Sequence, residues 1–253
     1  MIIPGLVSVT FRKLSPAEIV ALVCQAGLNC IEWGGDIHVP HGDCARAREV
    51  RQRTLAAGLT VAAYGSYYKL HNSEAAGLPF AAVLETALAL GAPTIRVWAG
   101  ALGSASTDAA YRAGVTADAR RIAGLAQSVG ITISSEYHGG TLTDTNASAQ
   151  TLLKEIQHPN FFTFWQPHNG VPVEPNLAGL RAILPRLTNV HCFHWLLANN
   201  ERRPLAEGAD LWRQYFAVVK SSGRDHGALL EFVAGDVPAN FLRDAATLRQ
   251  LVA

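Results

Sequence analysis

A closed (β/α)8 barrel is the fold this sequence predicts, and three observations carry the prediction. A short apolar run that ends on a polar residue beside an aromatic recurs along the chain: Cys30-Ile31-Glu32-Trp33, Ile95-Arg96-Val97-Trp98, Ile133-Ser134-Ser135-Glu136-Tyr137, Phe162-Thr163-Phe164-Trp165-Gln166, Cys192-Phe193-His194-Trp195 and Leu229-Leu230-Glu231-Phe232. The recurrence interval is roughly thirty residues, the length of one strand-plus-helix unit. Helical segments with their own start and stop signals lie between these words. The chain has 253 residues, close to the roughly 250 that an α/β barrel takes.

The first strand is expected near residues 3–9. Ser15-Pro16-Ala17-Glu18 then supplies an N-cap, an N1 proline and a capping-box Glu for a helix carrying Ile19, Val20, Leu22 and Val23. Gly27 stops that helix. The second strand, at 29–33, leads to a helix over 43–56, and the third strand follows Gly58 at 60–65. Pro79 opens a helix with Phe80, Val83, Leu84, Ala87 and Leu88 at helical spacing, and Gly91 closes it. Strands at 94–98, 131–136, 161–165, 190–195 and 228–232 alternate with helices at 108–128, 146–156, 175–184, 208–221 and 238–251. Strict alternation argues for a parallel sheet. No Gly-rich dinucleotide loop follows the first strand, which disfavours an open doubly wound sheet. No composition shift marks a boundary, so one domain over 1–253 is expected.

Composition narrows the function classes. Hydrophobic residues make up 49% and charged residues 16%, with a net charge of +1. That balance offers no footprint for nucleic acid or an anionic membrane surface. No apolar run approaches the length of a membrane span. Cys24, Cys30, Cys44 and Cys192 form no C-x-x-C pair and read as reduced thiols. The N-terminal apolar run precedes Arg12 and Lys13, the wrong order for a secretory signal, so the expected location is the cytoplasm.

In such a barrel the chemistry stands at the C-terminal ends of the strands. Glu136 ends the fifth predicted strand, Gln166 the sixth, His194 the seventh and Glu231 the eighth. Adjacent strands lie about 4.8 Å apart, so these four are expected to converge. Two Glu, one His and a carboxamide form a mixed N/O set suited to Mn²⁺, Mg²⁺, Co²⁺ or Zn²⁺. Glu136 and Glu231 are the candidate catalytic residues. His191, three residues before His194, is expected on the opposite face and is read as structural. His138 and His168 are expected in loops above the strands, where either can bind a sugar hydroxyl. Trp33 and Trp98 are candidate apolar walls for a sugar face, and Arg202 is a candidate contact for an anionic substrate. Glu32 and Arg96 read as an ion pair inside the barrel mouth.

The chain resembles the xylose isomerase-like TIM barrels, sugar and sugar-phosphate isomerases and epimerases that include tagatose epimerases and hydroxypyruvate isomerases. The resemblance is carried by Gly27-Leu28-Asn29-Cys30-Ile31-Glu32-Trp33, Ile95-Arg96-Val97-Trp98-Ala99-Gly100, Ser135-Glu136-Tyr137-His138, Phe193-His194-Trp195 and Leu230-Glu231-Phe232 in that order and spacing. It implies a divalent metal held by Glu, Asp, His and Glu from strands five to eight. Glu136, His194 and Glu231 match three of those positions, while Gln166 stands where the family usually has Asp. It also implies proton transfer beside a carbonyl of a small carbohydrate, with the two glutamates exchanging the proton. A metal-dependent keto-polyol dehydratase would use the same cluster, and a non-catalytic sugar-binding barrel with a decayed site is the reading that the Gln166 departure favours. An apurinic endonuclease, a fold relative, would need more metal ligands and a basic groove than this sequence offers.

Overall fold

A computed structural model describes residues 1–196 and 199–253 of the chain. Eight parallel strands close into a barrel in sequence order. They are β1 (Ile2–Val7), β2 (Cys30–Gly34), β3 (Thr60–Lys69), β4 (Thr94–Trp98), β5 (Thr132–Ser135), β6 (Phe161–Trp165), β7 (Leu187–Cys192) and β8 (His226–Leu230). Closure comes from β8 pairing with β1, with Ile2 opposite His226 and Leu6 opposite Leu230. The surrounding helices are α1 (Pro16–Gln25), α2 (Cys44–Ala56), α3 (Phe80–Leu90), α4 (Ala109–Gln127), α5 (Asn146–Ile156), α6 (Val173–Ile183), α7 (Ala209–Lys220) and α8 (Pro238–Val252). No described helix is long and apolar enough to cross a membrane.

The local signals act as expected. Ser15 accepts from the Glu18 N–H while the Glu18 carboxylate reaches back, a complete capping box. Asp43, Asp108 and Thr145 cap α2, α4 and α5 through their side chains. Gly91 ends α3 in the left-handed conformation that a glycine adopts freely.

Three strands start earlier than the sequence suggests, β1 by one residue at Ile2. β8 begins at His226 rather than 228. β7 begins at Leu187 rather than 190, a shift of three. Side chains alternate with a period of two whichever residue the strand begins on; in β7 Val190 and Cys192 pack against the helices and His191 points into the barrel. The shift has its cause at both ends. Leu184–Arg186 forms a short 3-10 turn after α6, so the strand starts at once. The apolar word Phe193–Trp195 belongs to the loop, where Trp195 forms an isolated antiparallel bridge with Arg202.

The apolar core is divided by the barrel wall. One cluster packs strands against helices and contains Trp33, Trp165, Trp212, Val190 and Cys192. A smaller one fills the barrel interior with Val7, Cys30, Ala63, Phe164 and Leu229. Charged side chains lie above this floor, towards the C-terminal ends of the strands.

Candidate functional site at the barrel mouth

Five titratable side chains occupy the layer above the interior cluster: Glu32 from β2, Arg96 from β4, Glu136 just past β5, His191 from β7 and Glu231 just past β8. All five are buried. The Arg96 Nε donates to Glu32 Oε1 at 2.5 Å, and its Nη1 donates to Glu136 Oε2. Trp98 Nε1 also donates to Glu136 Oε2, at 2.6 Å. Glu32 and Arg96 thus form the expected ion pair, extended to Glu136.

Glycine makes room for this arrangement. A Cβ on Gly65 of β3 would lie 2.7 Å from Arg96 Nη2 and 2.7 Å from Glu32 Oε1. Just beyond it, the register of β3 against β4 shifts between Gly65 and Tyr68. Tyr67 sits in that bulge with φ +55, and the Arg96 guanidinium stacks 4.8 Å from its ring. A bulge of this kind re-aims one side chain at the end of a strand.

His191 is the hub. Its Nε2 lies 3.1 Å from Glu32 Oε2. Its Nδ1 lies 3.1 Å from Gln166 Oε1, 3.4 Å from Glu136 Oε1 and 3.4 Å from Glu231 Oε2. Burial alone would lower the His191 pKa, but Glu231 and Glu32, followed by hydrogen bonds to Glu136 and Glu231, raise it well above its ordinary value. Burial alone would raise the Glu136 pKa, yet the Arg96 charge and then His191 hold it well below the usual carboxylate range.

The donor set fits a cation. With Nε2 turned to a carboxylate, Nδ1 faces three oxygens that are all acceptors, so a proton or a metal ion must lie among them. Glu136, His191 and Glu231 each offer a ligand atom within 4.8 Å of the others. Glu32 on the far ring nitrogen supplies the carboxylate that orients metal-binding histidines. With His191 neutral, as a metal ligand must be, three carboxylates against the Arg96 guanidinium leave two negative charges, the charge of a divalent ion.

The sequence-predicted residues divide accordingly. Glu136, Gln166 and Glu231 converge, but His191 takes the place expected for His194. His191 lies within β7 and points into the barrel. His194 lies past the strand end, packed on Gly208 before α7, where a Cβ on that glycine would meet its Nδ1 at 2.5 Å. Trp33 is also displaced. It points outward from β2, fully buried against the helices, and its Nε1 donates to Thr54 on α2 at 3.2 Å. Arg202 is paired with Asp236 at 2.7 Å and stacks on Phe232 and Trp195, behind the cavity wall. Trp98, His138 and His168 do line the cavity, which has a volume of about 640 Å³. His138 stacks on Trp98 with ring centroids 4.3 Å apart, and His168 on Tyr137 at 5.1 Å.

Tyr67 and Arg12 also line this cavity, and no sequence signal distinguished them. For His191 a signal existed. Asn189-Val190-His191 alternates polar and apolar residues directly after the Pro185 turn, which marks a strand starting at Leu187.

The family model described as Xylose isomerase-like TIM barrel matches residues 20–251. The chain belongs to this family. A search of curated proteins finds no match. Among solved structures, the chain resembles the probable 3-DHS dehydratase AsbF from Bacillus anthracis at 20% identity, covering 100% of this chain and 99% of the other, with a TM-score of 0.80. It resembles D-psicose 3-epimerase at 15% identity over 99% of both chains, with a TM-score of 0.74. It also resembles D-allulose 3-epimerase from Methylomonas sp. at 16% identity, over 100% of this chain and 98% of that one, with a TM-score of 0.74. At these identities the likeness is one of fold.

Proposed function

We propose that this protein is a sugar or sugar-phosphate isomerase or epimerase that moves a proton next to a carbonyl, assisted by a divalent metal. The observation that carries the reading is the convergence of Glu136 and Glu231 on one nitrogen of His191 beneath a polar cavity. Glu136, Gln166, His191 and Glu231 would hold the ion. When bound, it supplies Lewis-acid polarisation of a substrate carbonyl.

The two glutamates differ in their surroundings. Glu136 is fixed by Arg96 and Trp98 and held ionised far below its ordinary range, which makes it a weak base. Glu231 has the His191 ring, at 3.4 Å, as its close neighbour. We therefore assign Glu231 as the base that takes the substrate proton and Glu136, once it has itself taken up a proton from solvent, as the group that returns one. They stand on β8 and β5, three strands apart around the barrel, so the proton leaves and arrives from different sides. Tyr67, Trp98 and His138 position the sugar hydroxyls.

The test is exchange of a substrate α-proton with solvent deuterium, followed by NMR across a panel of ketoses and keto-polyols. Glu136→Gln and Glu231→Gln should each lower turnover by at least about a hundredfold, the lower range for acid–base catalysis. Glu231→Gln should also abolish exchange. Exchange that persists in both variants would place the base elsewhere. A dehydratase is the second reading, favoured by His138 at the cavity wall as an acid for a departing hydroxyl. Loss of water from the substrate, seen by mass, separates the two.

A further inference from the structure

A second cavity of about 280 Å³ adjoins the first on the side of α6 and α7. Pro167, His168, Asn169, Val171, Phe193 and Trp195 line both cavities, so the two meet at the loops that follow β6 and β7. Their chemistry differs. The first is walled by the charged layer at the barrel mouth. The second is closed by Pro172, Val173, Leu211, Trp212 and Tyr215, and its polar atoms are few.

Two polar atoms at the shared wall lack partners among the described residues. They are His168 Nε2 and Trp195 Nε1, each buried from solvent. A buried N–H without an acceptor is costly, and in native structures such groups are usually satisfied by water or ligand.

We propose that the substrate carries an apolar group, a ring or a branched alkyl, which occupies this second cavity while its carbonyl-bearing half lies between Glu136 and Glu231. The proposal rests on the assignment of that site as the reaction centre and deepens it by naming a substrate class. A bare pentose or hexose has no apolar portion that needs such a chamber. The volume suits an aromatic ring with a short linker, since a cavity of about 150 Å³ lined by apolar side chains holds benzene. Trp212, Tyr215 and Leu211 form its apolar end, and His168 and Trp195 meet a polar linker where the cavities join.

The experiment uses benzyl alcohol, a ring bearing one hydroxyl, titrated into the full-length protein and followed by ligand-observed NMR. Wild type should bind it saturably in the millimolar range. Leu211→Trp and, independently, Val173→Phe fill the chamber from α7 and α6, and neither position lines the catalytic cavity. Each should weaken binding at least about tenfold, the lower end of what one methylene changes in an apolar pocket. Two variants guard against one that misfolds, which circular dichroism would reveal. Glu231→Gln should bind benzyl alcohol as wild type does, so this test stands or falls apart from the deuterium-exchange test. No saturable binding up to about 50 mM, or binding that both filled variants retain, overturns the proposal.

Discussion

Replacing Arg96 with Gln should destabilise the protein strongly. The guanidinium is 1% exposed and donates to Glu32 and Glu136, which are themselves buried at 0% and 3% exposure. Gln keeps some hydrogen-bonding capacity but removes the only cation that pairs these carboxylates among the described Lys and Arg side chains. Removing one partner of a buried ion pair costs about 3–5 kcal/mol, because the other is left uncompensated. For a chain of this size each kcal/mol moves Tm by about 2–4 °C, so a fall of about 10 °C is expected at pH 7. The sign of the pH dependence follows from Glu136. Its folded pKa is depressed, so its contribution is present above the unfolded value and lost as pH falls from there through the folded pKa. In the variant the largest influence that lowers the Glu136 pKa is gone, so Glu136 should titrate higher than in wild type. The penalty should therefore shrink between pH 7 and pH 4. The assay is thermal unfolding by circular dichroism in EDTA, across that pH range, for wild type and variant. A Tm within about 2 °C of wild type at pH 7 would refute the reasoning.

Three further predictions follow from the same geometry. Calorimetric Mn²⁺ titration should show binding weakened at least about tenfold by His191→Ala and nearly unchanged by His194→Ala, since only the former faces Glu136 and Glu231; the reverse order would contradict the observed phase of β7. Gln166→Glu adds a negative charge beside His191 Nδ1 and should tighten Mn²⁺ in the same titration, whereas unchanged affinity would mean that Gln166 is not a ligand and favour the decayed-site reading. Gly65→Ala places a Cβ against Arg96 and Glu32 and should cost about 1–3 kcal/mol, the range for overpacking, read from urea unfolding; a neutral result would mean that the pair is not packed as described.

Much of the barrel was legible in the sequence because its signals are local. The capping box at Ser15, the glycine stop at Gly91, and the period-two and helical patterns each act within a few residues. Three elements, at 94–98, 146–156 and 161–165, have their expected bounds. Glu136, Gln166 and Glu231 were legible as candidates because each stands immediately after the last residue of its strand.

Tertiary structure decided the rest. The phase of β7 depends on where the 3-10 turn at Leu184–Arg186 releases the chain and on the bridge that draws Trp195 to Arg202. Two histidines three residues apart exchange roles on that phase alone. Trp33 and Trp98 end similar strand words, yet one packs against α2 and the other donates to Glu136. Glu32 and Trp33 are adjacent and point to opposite faces, whereas Arg96 and Trp98 are two apart and share one. The sequence determined which residues can do chemistry at the mouth of this barrel. Which of them meet was decided by strand phase, which depends on contacts with elements distant in the chain.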